Sequence, residues 1–222
     1  MREIVLDTET TGLDPAKNRI VEIACVELLN HVPTGKTFHK YLNPEMEISA
    51  EAAAVHGITN EKVADAPLFG EIVAEFLEFA GEAKLVIHNA DFDMGFINAE
   101  LGRIGFQPLP KNRAIDTVHL ARRKFPGAPA SLDALCKRFE IDNSHRTLHG
   151  ALLDANLLAE VYLELIGGRQ ARMELGAQSK GADVAVAAAR QARAPRPHAA
   201  SEAELAAHAA AIAKLKAPVW TS

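Results

Sequence analysis

The chain has 222 residues, 48% of them hydrophobic, which allows one full folded domain plus extra segments. No apolar run approaches the length of a membrane span, and Met1 leads directly into a strand pattern with no signal peptide, so a soluble cytoplasmic protein is expected. The formal net charge of −5 argues against strong autonomous DNA binding, because free-standing DNA binders usually carry a basic footprint.

In chain order, Ile4, Val5 and Leu6 form a continuous apolar run, and a strand is predicted over 3–7. It leads into Asp7-Thr8-Glu9-Thr10-Thr11-Gly12. If the strand continues, Asp7 and Glu9 share a face, and two like charges side by side call for a cation. Strands follow over 20–29 and 36–42, with a hairpin turn expected near Pro33-Thr34-Gly35. A helix is predicted over 69–79 and a strand over 84–88. The next segment is His88-Asn89-Ala90-Asp91-Phe92-Asp93. Helical periodicity over 91–103 puts Asp93 on the apolar stripe with Phe96, Ile97 and Leu101, and leaves Asp91 off it. A short strand is expected over 114–117 and a helix over 131–139. In a helix over 151–165, Asp154 aligns with Leu157, Leu158, Val161 and Leu165. A core-facing carboxylate needs a partner, and no lysine or arginine shares that stripe, so a metal is expected there. His149 lies about 140° from Asp154 on an ideal helix, which places it in the preceding loop with Gly150 at the bend. Imidazole there can take a proton near neutral pH without being a metal ligand. Cys25 and Cys136 read as reduced core thiols, and neither the cysteines nor the nine histidines show zinc spacing.

Each acidic motif taken alone also suits a turn, a cap or a core ion pair. The three in this order resemble the motifs of the DEDDh 3′–5′ exonucleases, over roughly residues 1–168. Val55-His56-Gly57-Ile58-Thr59 matches a further segment of that branch. Ser131-Leu132-Asp133-Ala134-Leu135-Cys136 and Asp142-Asn143-Ser144, followed by Arg146 and His149, are similar to its members that proofread for bacterial replicative polymerases. Asp91 departs from the pattern, standing where those members have a small residue.

The resemblance implies a ribonuclease-H-like α/β fold, a mixed five-stranded sheet flanked by helices. It implies two divalent cations, Mg2+ or Mn2+, and DNA 3′ ends as substrate. Asp7, Glu9 and Asp154 would hold one cation, and Asp7, with Asp93 through water, the second. His149 would be the general base. The backbone from Thr8 to Gly12 could approach the terminal nucleotide closely, and His56 and Phe92 are candidates for touching it, Phe92 equally a core residue. A free-standing enzyme acting on RNA or short oligonucleotides, or a catalytically silent scaffold, remain alternatives.

Beyond the expected exonuclease domain, 1–168, the chain is rich in Ala, Arg, Gln, Gly and Pro and reads as a flexible linker, 169–200. Within it, Gln170, Met173 and Leu175 resemble a sliding-clamp-binding peptide over 170–175, and equally the extended start of a linker. Ser201 and Glu204 fit a capping box. Leu205, Ile212, Leu215, Val219 and Trp220 then make 201–222 a helical tail that reads as a docking element, with a helix folded back on the domain or a frayed terminus as alternatives; the resemblance implies that it docks on the polymerase subunit.

Overall fold

The computed structural model describes residues 1–146, 148–168 and 200–214. The chain divides into two units, Met1–Glu174 and Leu175–Ser222. In the first, five strands form one sheet in the order β3-β2-β1-β4-β5. They are β1 (Arg2–Thr10), β2 (Ile20–Leu29), β3 (Val32–Tyr41), β4 (Lys84–Ile87) and β5 (Ala114–Asp116). The first three pair antiparallel; β4 and β5 run parallel to β1 and to each other. This is the mixed α/β sheet expected from the sequence.

β1 extends beyond the predicted 3–7 through Thr10, pairing with β2 without interruption as far as Glu9. Its side chains alternate between two cores. Ile4 and Leu6 enter a cluster built with α3 (Phe69–Ala80) and α4 (Ala90–Arg103). Val5 enters the opposite cluster, built with α5 (Thr117–Lys124), α6 (Leu132–Phe139) and α7 (Ala151–Leu165). Two short helices, α1 (Ala50–His56) and α2 (Asn60–Val63), cover a third, smaller cluster.

The hairpin turn lies elsewhere than expected. Asn30 and His31 both adopt left-handed backbone, φ 51° and 68°, and Leu29 pairs with Val32 directly across them. A two-residue turn of this hand matches the strand twist, and Asn accepts it readily. Pro33 therefore falls inside β3, where it is tolerated because β3 is an edge strand. Thr117 opens α5 rather than ending β5, because Asp116 caps the helix, its Oδ1 accepting from the amides of Val118 and His119. The sequence reading missed α1, α2 and α5, which are too short to carry a long apolar stripe. Both cysteines are buried and free.

The far end of α7 is tied to the sheet. The Tyr162 hydroxyl donates to Glu3 Oε1 at 2.7 Å, and His31 Nδ1 lies 2.6 Å from Oε2 of the same fully buried carboxyl. Lys124 Nζ donates to the carbonyls of Glu164 and Leu165 at the helix C-terminus, where positive charge is favourable.

In the second unit the described part is α8 (Glu202–Ile212), started by the expected capping box: the Glu204 amide donates to Ser201 Oγ, and the Ser201 amide to Glu204 Oε2. Leu215, Val219 and Trp220, like Gln170, Met173 and Leu175, lie outside the described residues. Among the described residues no helix is long and apolar enough to cross a membrane.

Tyr162→Phe should lower the free energy of unfolding by about 1–3 kcal/mol, the usual cost of stripping a buried group of its partner. Urea titration of the two forms measures it.

Candidate active site

The carboxyl ends of β1 and β4 open into a cleft of about 470 Å³, where ligand sites of α/β sheets usually lie. Asp7, Thr8, Glu9, Gly12, His56, Phe92, Asp93, His149 and Asp154 all line it. The alternation of β1 explains how one strand serves both sides. Asp7 and Glu9 follow Val5 toward α7, which carries Asp154. Thr8 follows Ile4 and Leu6 toward α4, and its hydroxyl donates to Asp93 Oδ1 at 2.7 Å.

Three of the four carboxylates are nearly closed to solvent: Glu9 is 8% exposed, Asp93 3% and Asp154 4%. Burial, reinforced by Asp93, Glu9 and Asp154, holds Asp7 well above the usual carboxylate range. Burial first, and then Asp154, Glu22 and Asp93, push Glu9 up to about 8. Asp93 is pushed by burial to about 7, with the Thr8 hydrogen bond opposing the rise. Oxygen donors that raise one another in this way suit hard divalent cations such as Mg2+ and Mn2+, which would relieve the repulsion. Glu9, His149 and Asp154 can each place a ligand atom within 4.8 Å of the others. The sequence reading grouped Glu9 and Asp154 with Asp7 and kept His149 outside the ligand set. In this geometry His149 stands within ligand distance of Glu9 and Asp154.

Asp154 has a cationic partner that its helical stripe does not supply: Arg146 holds it by a two-pronged bridge, Nε to Oδ1 at 2.5 Å and Nη2 to Oδ2 at 2.7 Å. Helical phase could not show this, because Arg146 reaches Asp154 from the preceding loop. His149 is in that loop, as expected, with its amide bonded to the Val55 carbonyl of α1.

The substrate candidates are repositioned in role. His56 accepts from the Ile58 amide at Nδ1, which leaves Nε2–H to donate to the Thr10 carbonyl. Its ring can offer only a face to a ligand. Gly12 abuts a neighbour: a Cβ there would lie 2.6 Å from Asn18 Oδ1, and the Asn18 side chain would have to shift. Phe92 lines the cleft and also packs on Phe96, ring centroids 4.9 Å apart. Asp91 points to solvent, 87% exposed, beside Lys111.

Two further carboxylates set the site and were missed. Neither α4 nor α7 has a capping side chain of its own. Asp116 Oδ2 accepts the Ala90 amide at the start of α4, and Glu22 Oε2 accepts the Ala151 amide at the start of α7. Glu22 also meets His39 Nε2 at 2.6 Å. The available signal was a glutamate inside the apolar run of β2. Glu100, 1% exposed, grips Arg19 by two bonds, and Arg103 fastens the carbonyls of Pro15 and Asn18. The loop after Gly12 is thereby fixed.

The exonuclease family RNase_T matches residues 4–162. The chain is 54% identical over 179 residues to the DNA polymerase III subunit epsilon of Rickettsia felis, covering 79% of this chain and 78% of that one. It is 47% identical over 220 residues to the subunit of the same name from Salmonella typhimurium, covering 93% and 90%. Among solved structures it is similar to exonuclease X in complex with 5′ overhanging duplex DNA, at 29% identity and TM-score 0.58, covering 73% of this chain and 90% of that one.

Because folded Glu9 keeps its proton up to about pH 8 while its ordinary value is 4.5, the folded state binds more protons between the two, and stability falls as pH rises through that window. In EDTA, Glu9→Gln should unfold a few degrees higher than wild type at about pH 8 and show a smaller gain near pH 4. Thermal melts across this range report it; an equal gain at both ends would refute the charge origin.

Proposed function

The chain belongs to the RNase_T exonuclease family and, within it, to the DNA polymerase III epsilon subunits, and from this membership we propose that it removes mispaired nucleotides from DNA 3′ ends as the proofreading subunit of a replicative polymerase. It is a 3′–5′ exonuclease, a hydrolase of phosphodiester bonds. The observation that carries the proposal is the convergence of Asp7, Glu9, Asp93 and Asp154, from three distant stretches of chain, on one cleft with His149 at its rim.

Asp7, Glu9, Asp93 and Asp154 would hold two divalent cations, Mg2+ or Mn2+. Bound there, such cations would supply Lewis acidity toward the attacking water and the leaving 3′ oxygen. Thr8 keeps Asp93 oriented by its 2.7 Å hydrogen bond. His149 accepts the proton of the attacking water. The Gly12 loop, His56 and Phe92 form the walls for the terminal nucleotide. Unstacking a mispaired end costs less than unstacking a paired one, so a narrow cleft prefers errors without reading sequence. The acidic net charge fits an enzyme held at the primer end by a partner. Residues 201–222 serve as that tether to the polymerase subunit, with 169–200 as the linker that keeps the exonuclease domain, 1–168, at high effective concentration. Gln170, Met173 and Leu175 offer a short contact for the sliding clamp. The protein works in the cytoplasm.

His149→Ala should slow hydrolysis of a mismatched primer by roughly 10²–10⁴-fold, the usual worth of a general base. Asp7→Ala should abolish it, and Asp91→Ala should retain most of it. Single-turnover digestion of matched DNA and RNA substrates in parallel tests both the roles and the substrate; full turnover by Asp7→Ala under saturating Mg2+ would sink the assignment.

Ending the chain at Gly168 should leave hydrolysis of single-stranded DNA nearly unchanged and abolish co-purification with the polymerase subunit. Trp220→Ala should weaken that association by about 2 kcal/mol or more, as interface hot spots do. Undiminished polymerase binding by the shortened form would move the interface to the exonuclease domain.

A further inference from the structure

Arg146 is the one lysine or arginine, among the described residues, that lines the acidic cleft. Its side chain is 8% exposed, and all three of its nitrogens are engaged. Nε and Nη2 take the two oxygens of Asp154, at 2.5 and 2.7 Å. Nη1 reaches Asp133 Oδ1 at 2.8 Å. Nη2 also faces both ring nitrogens of His149, Nδ1 at 3.1 Å and Nε2 at 3.4 Å. Arginine can only donate, so a ring nitrogen that meets it does so through its lone pair. The imidazole is thus held against Arg146, with Nδ1 also 3.6 Å from Asp154 Oδ2.

One side chain therefore holds both halves of the chemistry. A guanidinium fork takes one lone pair from each carboxylate oxygen and sets a full positive charge where a dication would have to approach. The cation that Asp154 is suited to bind and the Arg146 fork are competitors for the same oxygens. We propose that Arg146 is an internal counter-ion that competes with the divalent cation for Asp154 and restrains His149, so that cation binding and release of the base are one linked event. The proposal rests on the roles given above to Asp154 and His149. In it Arg146 is a positioning residue, acting through those two groups without touching the substrate.

A plain structural bridge predicts something different. If Arg146 only held Asp154 in place, removing it would lower stability and weaken cation binding together. Competition gives the two effects opposite signs. The fold loses a counter-ion for Asp154 and Asp133, while the cation loses its rival.

The test uses the full-length protein, thermal unfolding in EDTA and calorimetric titration with Mn2+. Arg146→Gln should unfold several degrees below wild type in EDTA and bind Mn2+ at least about fivefold more tightly, the lower end of typical coupling between linked sites. The Mn2+ concentration for half-maximal exonuclease rate should fall by the same factor. Arg146→Lys keeps the charge but not the fork, so its Mn2+ affinity should lie between the two. Equal or weaker Mn2+ binding by Arg146→Gln overturns the proposal. If that variant does not fold, Arg146→Lys decides: tighter binding than wild type supports competition, and equal or weaker binding overturns it. A wild type that binds no Mn2+ overturns the reading of the whole site and this proposal with it; binding by wild type that is unchanged in the variants overturns this proposal alone.

Discussion

Mutual repulsion among buried carboxylates is the constraint around which this fold is arranged. Asp7, Glu9 and Asp93 are all held above their ordinary ionisation range, first by burial and then by neighbouring carboxylates: Asp93, Glu9 and Asp154 for Asp7, Asp154, Glu22 and Asp93 for Glu9, and Asp116 for Asp93. Such a cluster pushes itself apart unless its supports are stiff. Asp7 and Glu9 stand on β1, the central strand, which is paired with β2 on one side and β4 on the other and packed on both faces.

The remaining two carboxylates arrive on helices, and the sheet also fixes those. α4 and α7 begin without capping side chains of their own, and the strands lend carboxylates in their place: Asp116 from β5 to α4 and Glu22 from β2 to α7. A negative group at a helix N-terminus is favourable there. These caps also add negative charge near the cluster, and Glu22 is among the groups that raise Glu9. The arrangement gains position at the expense of further repulsion. Arg146 offsets part of it, and the Arg19–Glu100 pair keeps the neighbouring Gly12 loop in place.

Much of this was legible in the sequence. The chemistry-bearing residues stood out because charge at a core-facing position contradicts local patterning: Asp93 and Asp154 on apolar helix stripes, and Asp7 and Glu9 at the end of an apolar strand. The sheet strands and longer helices were legible for the same reason, through apolar periods of two or 3.6 residues. Local chemistry placed Ser201 and Glu204 at the start of α8. The hairpin turn was misplaced because Pro-Thr-Gly and Asn-His both suit turns, and strand register, a pairing property, chose between them.

By itself, then, the sequence determined which residues carry charge into buried places and which elements present them, since periodicity acts within a dozen residues. Tertiary structure alone decided who their partners are. The Arg146–Asp154 fork, the Thr8–Asp93 bond, the caps from Glu22 and Asp116, and the commitment of both His56 nitrogens join groups whose spacing follows no helix or strand period. Such contacts depend on loop geometry and on where separate elements meet, and no local pattern encodes either.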